Sequence, residues 1–198
     1  MIEALPDELK IVLGGVVCLA LPFVVGWMAW GLVRSGRGVA RGLAGGPAKA
    51  CQALGLQLTR SDALSGEAAG QFEGWPVRVG WRVGPQHGFD EHQQHTWVHA
   101  SVQPPLGAGF EARQDLPAPT PPWPELEGLG ARAADPTAAR AALARAAPAL
   151  AHALAGPGGV TLDDTSVSIE LPGIETDEAK LGATLRSAVA VATALSRR

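Results

Sequence analysis

Hydrophobic positions in this chain follow three different periods in turn. Ile11 to Val33, IVLGGVVCLALPFVVGWMAWGLV, is apolar throughout, 23 residues without a charge. At roughly 1.5 Å of rise per residue, a helix of that length extends about 35 Å, slightly more than the hydrocarbon core of a bilayer. The pattern predicts a transmembrane helix. A period of two takes over further on. Val77, Val79, Trp81 and Val83 alternate with Arg78, Gly80 and Arg82, and Val98, Ala100 and Val102 alternate with Trp97, His99 and Ser101. Both segments predict strands with one buried and one wet face. Gln71-Phe72-Glu73 leads into the first of them through a turn expected at Gly74-Trp75-Pro76, and Phe110 to Arg113 is a weaker strand signal. Ala48 to Leu58 predicts a short helix ahead of this antiparallel meander.

The period lengthens again in the last third. Leu129 to Ala133 predicts a short strand, and Asp135-Pro136 is an N-cap followed by proline at the first helical position. The helix is expected to reach about Ala155 with Leu143, Ala147, Leu150 and Leu154 on one face, kinked or divided at Pro148 and stopped by Gly156-Pro157-Gly158-Gly159. Val160 to Leu162 and Val167 to Leu171 predict a hairpin around Asp163-Asp164-Thr165-Ser166. Thr176 is the expected cap of a closing helix that begins with Asp177 and Glu178 and buries Leu181, Leu185, Val189 and Ala192. The order β-α-β-β-α defines an α+β unit. The organisation expected is thus an extracytoplasmic tail (1–10), the membrane helix (11–33), a basic glycine-rich linker (34–47), a mainly β subdomain (48–116), a proline-rich connection (117–124) and an α+β subdomain (125–198).

Charge sets the expected orientation. The head of the chain holds Glu3, Asp7 and Glu8 against Lys10, whereas Arg34, Arg37, Arg41 and Lys49 follow the apolar run with no acid before Asp62. The positive-inside rule then places the N-terminus outside and the large domain in the cytoplasm of a bacterium, at its inner membrane. Trp27 and Trp30 stand where an interfacial aromatic belt belongs, and Arg34, Arg37 and Arg41 complete the membrane-interface set. A cleaved signal peptide starts basic and has a shorter apolar core, so an anchor is the better reading. Val17 stands where a lipobox has a small residue, which argues against lipidation at Cys18. Cys18 and Cys51 lie on opposite sides of the membrane boundary and are not expected to pair. A net charge of −3 gives no electrostatic footprint for nucleic acid.

The leading anchor, the short helix, the turn in Glu73-Gly74-Trp75-Pro76-Val77-Arg78-Val79 and the closing helix-hairpin-helix resemble single-pass bacterial membrane proteins of unknown function. That resemblance covers the chain in outline and implies neither an activity nor functional residues.

Chemistry-bearing side chains concentrate in Gln86 to His99, QHGFDEHQQHTWVH. Imidazoles and carboxylates are ligands for zinc and nickel. If His95 to His99 is strand, those two rings stand about 13 Å apart at roughly 3.3 Å per residue and cannot share an ion. The candidate metal set is therefore His87, His92 and His95, with Asp90 or Glu91. Gly36-x-Gly38-x-x-x-Gly42 follows a membrane helix rather than a strand, so it reads as a tether and not as a nucleotide loop. Pro119-x-x-Pro122 reads as a spacer, Asp163-Asp164 as turn chemistry, and Cys51 as a packed thiol. Arg78 and Arg82 mark a solvated strand face. The chain carries no Gly-x-Ser-x-Gly elbow, His-Glu-x-x-His pair or Walker loop. The expectation is a membrane-anchored binding or scaffold domain without catalytic activity and without a cofactor. It would work with the lipid bilayer and a membrane or cytoplasmic protein partner. The alternatives are a metal-dependent enzyme or sensor built on the histidine loop, and an accessory subunit of a larger inner-membrane complex.

Overall fold

Among the described residues eight antiparallel strands join in one sheet. The structure is a computed structural model and describes residues 45–62, 65–82, 94–119, 122–126 and 128–197. The expected membrane helix, its flanking Trp27, Trp30, Arg34, Arg37 and Arg41, and the loop histidines His87 and His92 lie outside the described residues. Among the described residues no helix is long and apolar enough to cross a membrane.

The fold is α+β. Helix α1 covers residues 45–53 among those described, ends in a turn at Leu54-Gly55, and gives way to β1 (Gln57–Ser61). The helix expected to run to Leu58 therefore stops early, with Gly55 at φ 78° as its terminator. Strands β2 (Ser65–Phe72), β3 (Trp75–Arg82) and β4 (His95–Ser101) continue the meander. The turn between β2 and β3 is Glu73-Gly74, not Gly74-Trp75-Pro76. Both central residues have positive φ, 52° and 79°, the signature of a two-residue type I′ hairpin, and Trp75 and Pro76 already belong to β3.

Beyond β5 (Glu111–Arg113), the proline-rich stretch passes through a 3₁₀ turn at Pro124–Leu126 to β6 (Gly130–Arg132). Helix α2 (Pro136–Leu154), β7 (Gly159–Asp163), β8 (Ser166–Pro172) and α3 (Glu178–Ser196) complete the chain. The strands before and after the proline-rich stretch belong to that one sheet, whose order is β1-β2-β3-β4-β8-β7-β5-β6. Strand β4 pairs with β8 along seven registered positions, from His95↔Pro172 to Ser101↔Ser166, and β5 pairs with both β6 and β7. The β-α-β-β-α unit is thus built into the edge of the meander.

The caps explain the helix starts. Asp135 accepts hydrogen bonds from the N–H groups of Thr137 and Ala138, both at 3.0 Å. For α3 the cap is Asp177, which accepts from Ala179 at 2.8 Å and Lys180 at 3.2 Å, one residue later than the expected Thr176. Glu175 in turn accepts from the N–H groups of Thr176 and Asp177. Helix α2 continues through Pro148, because the ring is exposed and the freed carbonyl of exposed Ala144 can be hydrated.

Strand alternation assigns the two faces. Val77, Val79 and Trp81, then Val98 and Ala100, then Val167, Ile169 and Leu171 are all buried beneath the helices. Leu143, Leu150, Leu181, Leu185 and Leu195 close the core from α2 and α3. Thr96 sits on this same face with no exposure. Its hydroxyl donates to the carbonyl of Gly173 at 3.2 Å and accepts from the N–H of Glu175 at 2.9 Å, which ties the lead-in of α3 to β4.

Candidate functional site

The candidate site is the other face of the sheet, where polar side chains of β2, β3, β4 and β8 stand side by side. Register places Ala69, Arg78, His99 and Ser168 in one row across four strands, and Glu67, Gly80, Trp97 and Glu170 in the next. The two rows differ in chemistry. In the first, Nδ1 of His99 lies 3.0 Å from the Ser168 hydroxyl, and Arg78 lies 3.9 Å from Glu67, its diagonal neighbour in the second row. In the second, the Trp97 indole covers its cross-strand neighbour Gly80. A Cβ built there would run into Cζ2, Cε2 and Nε1 of the ring. The glycine is what lets the indole lie flat on the sheet, half-exposed, with Arg78 and His99 beside it.

Burial lowers the pKa of His99 below 6.5. Asp163 opposes this, Arg78 adds to it and Glu67 opposes it more weakly. The imidazole is therefore mainly neutral at pH 7, with Nδ1 hydrogen-bonded to the Ser168 hydroxyl. A nucleophile beside a neutral base has the right pairing for acyl transfer. Stabilising an oxyanion, however, takes free donors near the serine, and here the strand edges of β8 are committed to β4 on one side and β7 on the other. Sequence reasoning missed the His99–Ser168 pair because its members are 69 residues apart and meet only through the β4–β8 register.

A depressed histidine pKa has a definite sign. The unfolded chain binds the proton more readily, so stability is full above about pH 6.5 and falls as pH drops through that value toward the folded pKa. Urea unfolding midpoints measured between pH 7.5 and 5 should decline, and His99→Gln should flatten the decline. An unchanged slope in the variant would remove His99 from the account.

Of the expected metal set, only His95 is described. It opens β4 and faces outward, with Nδ1 3.7 Å from Glu170. His99 lies four strand residues away on the same face, so the two imidazoles stand apart as the strand reading requires. Among the described residues no three His, Cys, Asp or Glu side chains gather as a metal would need.

The two turn aspartates do separate jobs. Asp163 accepts from Thr165 through both its N–H (2.7 Å) and its hydroxyl (2.6 Å), and from the Ser166 hydroxyl at 2.6 Å. Burial pushes its pKa up, but the bonds from Ser166 and Thr165 outweigh that and hold it below the usual carboxylate range. Asp164 reaches the other way. Its carboxylate takes the N–H groups of Ala108 (3.3 Å), Gly109 (2.7 Å) and Phe110 (2.9 Å) and so pins the loop leading into β5.

Cys51 is fully buried in α1, and burial pushes its thiol up to about 12. A thiol with that pKa carries almost no thiolate at neutral pH. A maleimide should leave Cys51 unmodified in the native chain and label it only after denaturation. Rapid labelling without denaturant would show that α1 opens readily from the domain.

Comparison with protein-family models, with curated proteins and with solved structures yields no match to this chain.

Proposed function

We propose that this chain is a binding or scaffold module without catalytic activity, tethered to the bacterial inner membrane by Ile11–Val33 with its folded domain in the cytoplasm. One observation supports the non-catalytic reading above the others. Four aspartates of the domain and its buried thiol are spent on the fold itself. Asp163 holds its turn, Asp164 pins a loop, Asp135 and Asp177 cap helices, and Cys51 is a protonated packing group. What the sheet offers outward is a polar platform around Trp97, with Arg78 paired to Glu67 and His95 beside Glu170. Such a surface suits reversible recognition, with an aromatic anchor set among hydrogen-bonding groups. The uncharged run and its basic flank support the tether and its orientation.

The test has two arms. Alkaline carbonate should leave the full chain in the membrane fraction, and a cysteine placed at Arg34 should react with an impermeant maleimide only after cell lysis. Affinity capture from detergent with wild type, Trp97→Ala and Arg78→Ala should show partners lost selectively in the variants. Reaction at position 34 in intact cells would reverse the orientation, and identical capture by all three proteins would move the binding surface off the sheet.

A further inference from the structure

We propose that the solvent side of the α2–α3 layer rests on an anionic lipid surface, namely the bilayer to which the chain is tethered. This inference rests on the membrane reading given above and goes beyond it by assigning a face. The two helices carry their charge unevenly. Helix α2 contains Arg140 and Arg145 and no acid, and α3 contains Lys180 and Arg186 with Glu178, in its first turn, as its single acid. Arg197 follows at the C-cap of α3. All five cations are exposed, and among the described residues none of them enters an ion pair.

The contrast with the opposite face of the domain is what gives this meaning. There Glu67 meets Arg78, Glu111 meets Arg132 and Arg113, and among the described residues of that face Arg82 is the exposed cation left without an acid. A domain that pairs most of its cations on one side and leaves all five on the other without an acid has a counter-charge to find. The residues between those cations are small, exposed alanines such as Ala144 and Ala190, so no large side chain screens the charges, and Arg145 donates back to the carbonyl of Ala141 at 3.1 Å. Between the β2–β3 turn and α3 lies a cleft of about 510 Å³, walled by Val189 and Ala190 and flanked by Trp75, Arg186 and Arg197, with Glu73 on its rim. Two guanidinium groups and a half-buried indole around a recess are the chemistry of a phosphate headgroup at the depth where tryptophan settles.

A lipid surface fits better than a soluble polyanion because of where the chain enters. The described domain begins with α1, and Gly46 at its start lies against Thr176, just ahead of α3, where an added Cβ would stand 2.5 Å from the side chain. The first described residues of the domain thus lie beside the helical layer. Each cation near an anionic leaflet strengthens attachment about fivefold. An already tethered domain needs only a few such contacts to settle on one side.

The experiment uses the full chain with Cys18→Ser, which leaves the buried Cys51 as its only native thiol. A fluorophore is attached at Ala144→Cys, at Ala190→Cys, or on the sheet face at Glu170→Cys. Each protein is reconstituted in vesicles of phosphatidylcholine alone or mixed with phosphatidylglycerol, with a nitroxide quencher on the headgroups. Quenching at 144 and 190 should exceed that at 170 several-fold in the anionic vesicles only. It should fall to the level at 170 when Arg140, Arg145, Arg186 and Arg197 are changed together to Gln, or in high salt. Equal quenching on both faces, no response to the four substitutions, or displacement of the domain by DNA at matched phosphate concentration would overturn the proposal. Carbonate extraction reports the tether separately. A chain that is stripped off has lost the membrane-anchor reading, and the same three labels mixed with preformed vesicles still decide the face.

Discussion

Replacing Asp164 by alanine is expected to lower the thermal midpoint of the domain by roughly 5–15 °C, at about 2–4 °C per kcal/mol for a domain of this size. The side chain accepts three backbone hydrogen bonds, from Ala108, Gly109 and Phe110. Bonds to a charged acceptor are worth about 1.5–3 kcal/mol each when measured singly, but three on one carboxylate do not add, and part of this site is open to water. A combined loss of about 2–4 kcal/mol follows. Asp164→Asn keeps one good acceptor and should lose about half as much. The damage should also be local in a way that amide exchange can read. The N–H groups of Ala108, Gly109 and Phe110 should exchange faster, because the segment ahead of β5 loses its anchor to the β7–β8 turn. The carbonyl of the same residue accepts from Leu106 at 2.9 Å, and that bond survives the substitution. An unchanged midpoint in Asp164→Ala would mean that the loop is held by its apolar contacts, Phe110 stacked on Trp123 with centroids 6.2 Å apart, rather than by the carboxylate.

The role of Asp164 is a fair measure of what the sequence makes legible. Asp163-Asp164 between two hydrophobic runs announces a turn, and a turn is there. That the second carboxylate reaches back across 54 to 56 residues to organise another loop depends on β5 pairing with β7, which no local pattern reports. The same division holds for the strands. Strands β3, β4, β7 and β8 are readable because each alternates large apolar side chains with polar ones. Strand β1 is missed because all five of its residues are exposed, so it is held by its ladder to β2 with no buried stripe to betray it. Most of β2 is missed for the opposite reason. Its inward positions include Gly66, Ala68 and Gly70, which are small because Trp81 and Leu56 fill the space above the two glycines. A strand whose core face is supplied by its neighbours' side chains has no hydrophobic signal of its own.

The helices are more legible than their details. The cap at Asp135 is evident from Asp-Pro before an apolar period, and the buried stripe of α3 is readable from Leu181, Leu185, Val189 and Ala192. Alanine blurs the rest. In α2 the residues that turn inward include Ala139, Ala142, Ala146 and Ala153, while Ala147 and Leu154 of the expected stripe are only partly buried. A helix this rich in alanine buries methyl groups at several angles, and hydropathy alone does not fix its rotation. The candidate surface is legible by halves. Arg78, Trp97 and His99 are assignable to the wet faces of their strands from alternation. Their assembly into one platform with Ser168 and Glu170 needs the pairing of β4 with β8.

Gly66 and Gly80 support a second large and discriminating effect, since each is a glycine lying under a cross-strand tryptophan. Gly66 pairs with Trp81 on the core face, and Gly80 pairs with Trp97 on the open face. A Cβ at either position would collide with the indole above it. The steric insult is the same and the surroundings are not. Trp81 is 1 % exposed and packed on all sides, so neither ring nor strand can yield cheaply. Overpacking of a core usually costs about 1–3 kcal/mol and sometimes more, and Gly66→Ala is expected at or above the upper end of that range. Trp97 can lift into solvent, so Gly80→Ala should cost no more than about 1 kcal/mol, partly offset by removing a flexible residue from a strand. The urea midpoint should therefore fall steeply in the first variant and little in the second, while only the second should shift tryptophan emission toward that of a more exposed ring. Trp81→Phe, by removing atoms above residue 66, should make Gly66→Ala less damaging than it is alone, a coupling of about 1 kcal/mol or more between touching residues. Equal losses in the two glycine variants, or strict additivity in the cycle, would show that the cost lies in the strand backbone and not in the indole that each glycine accommodates.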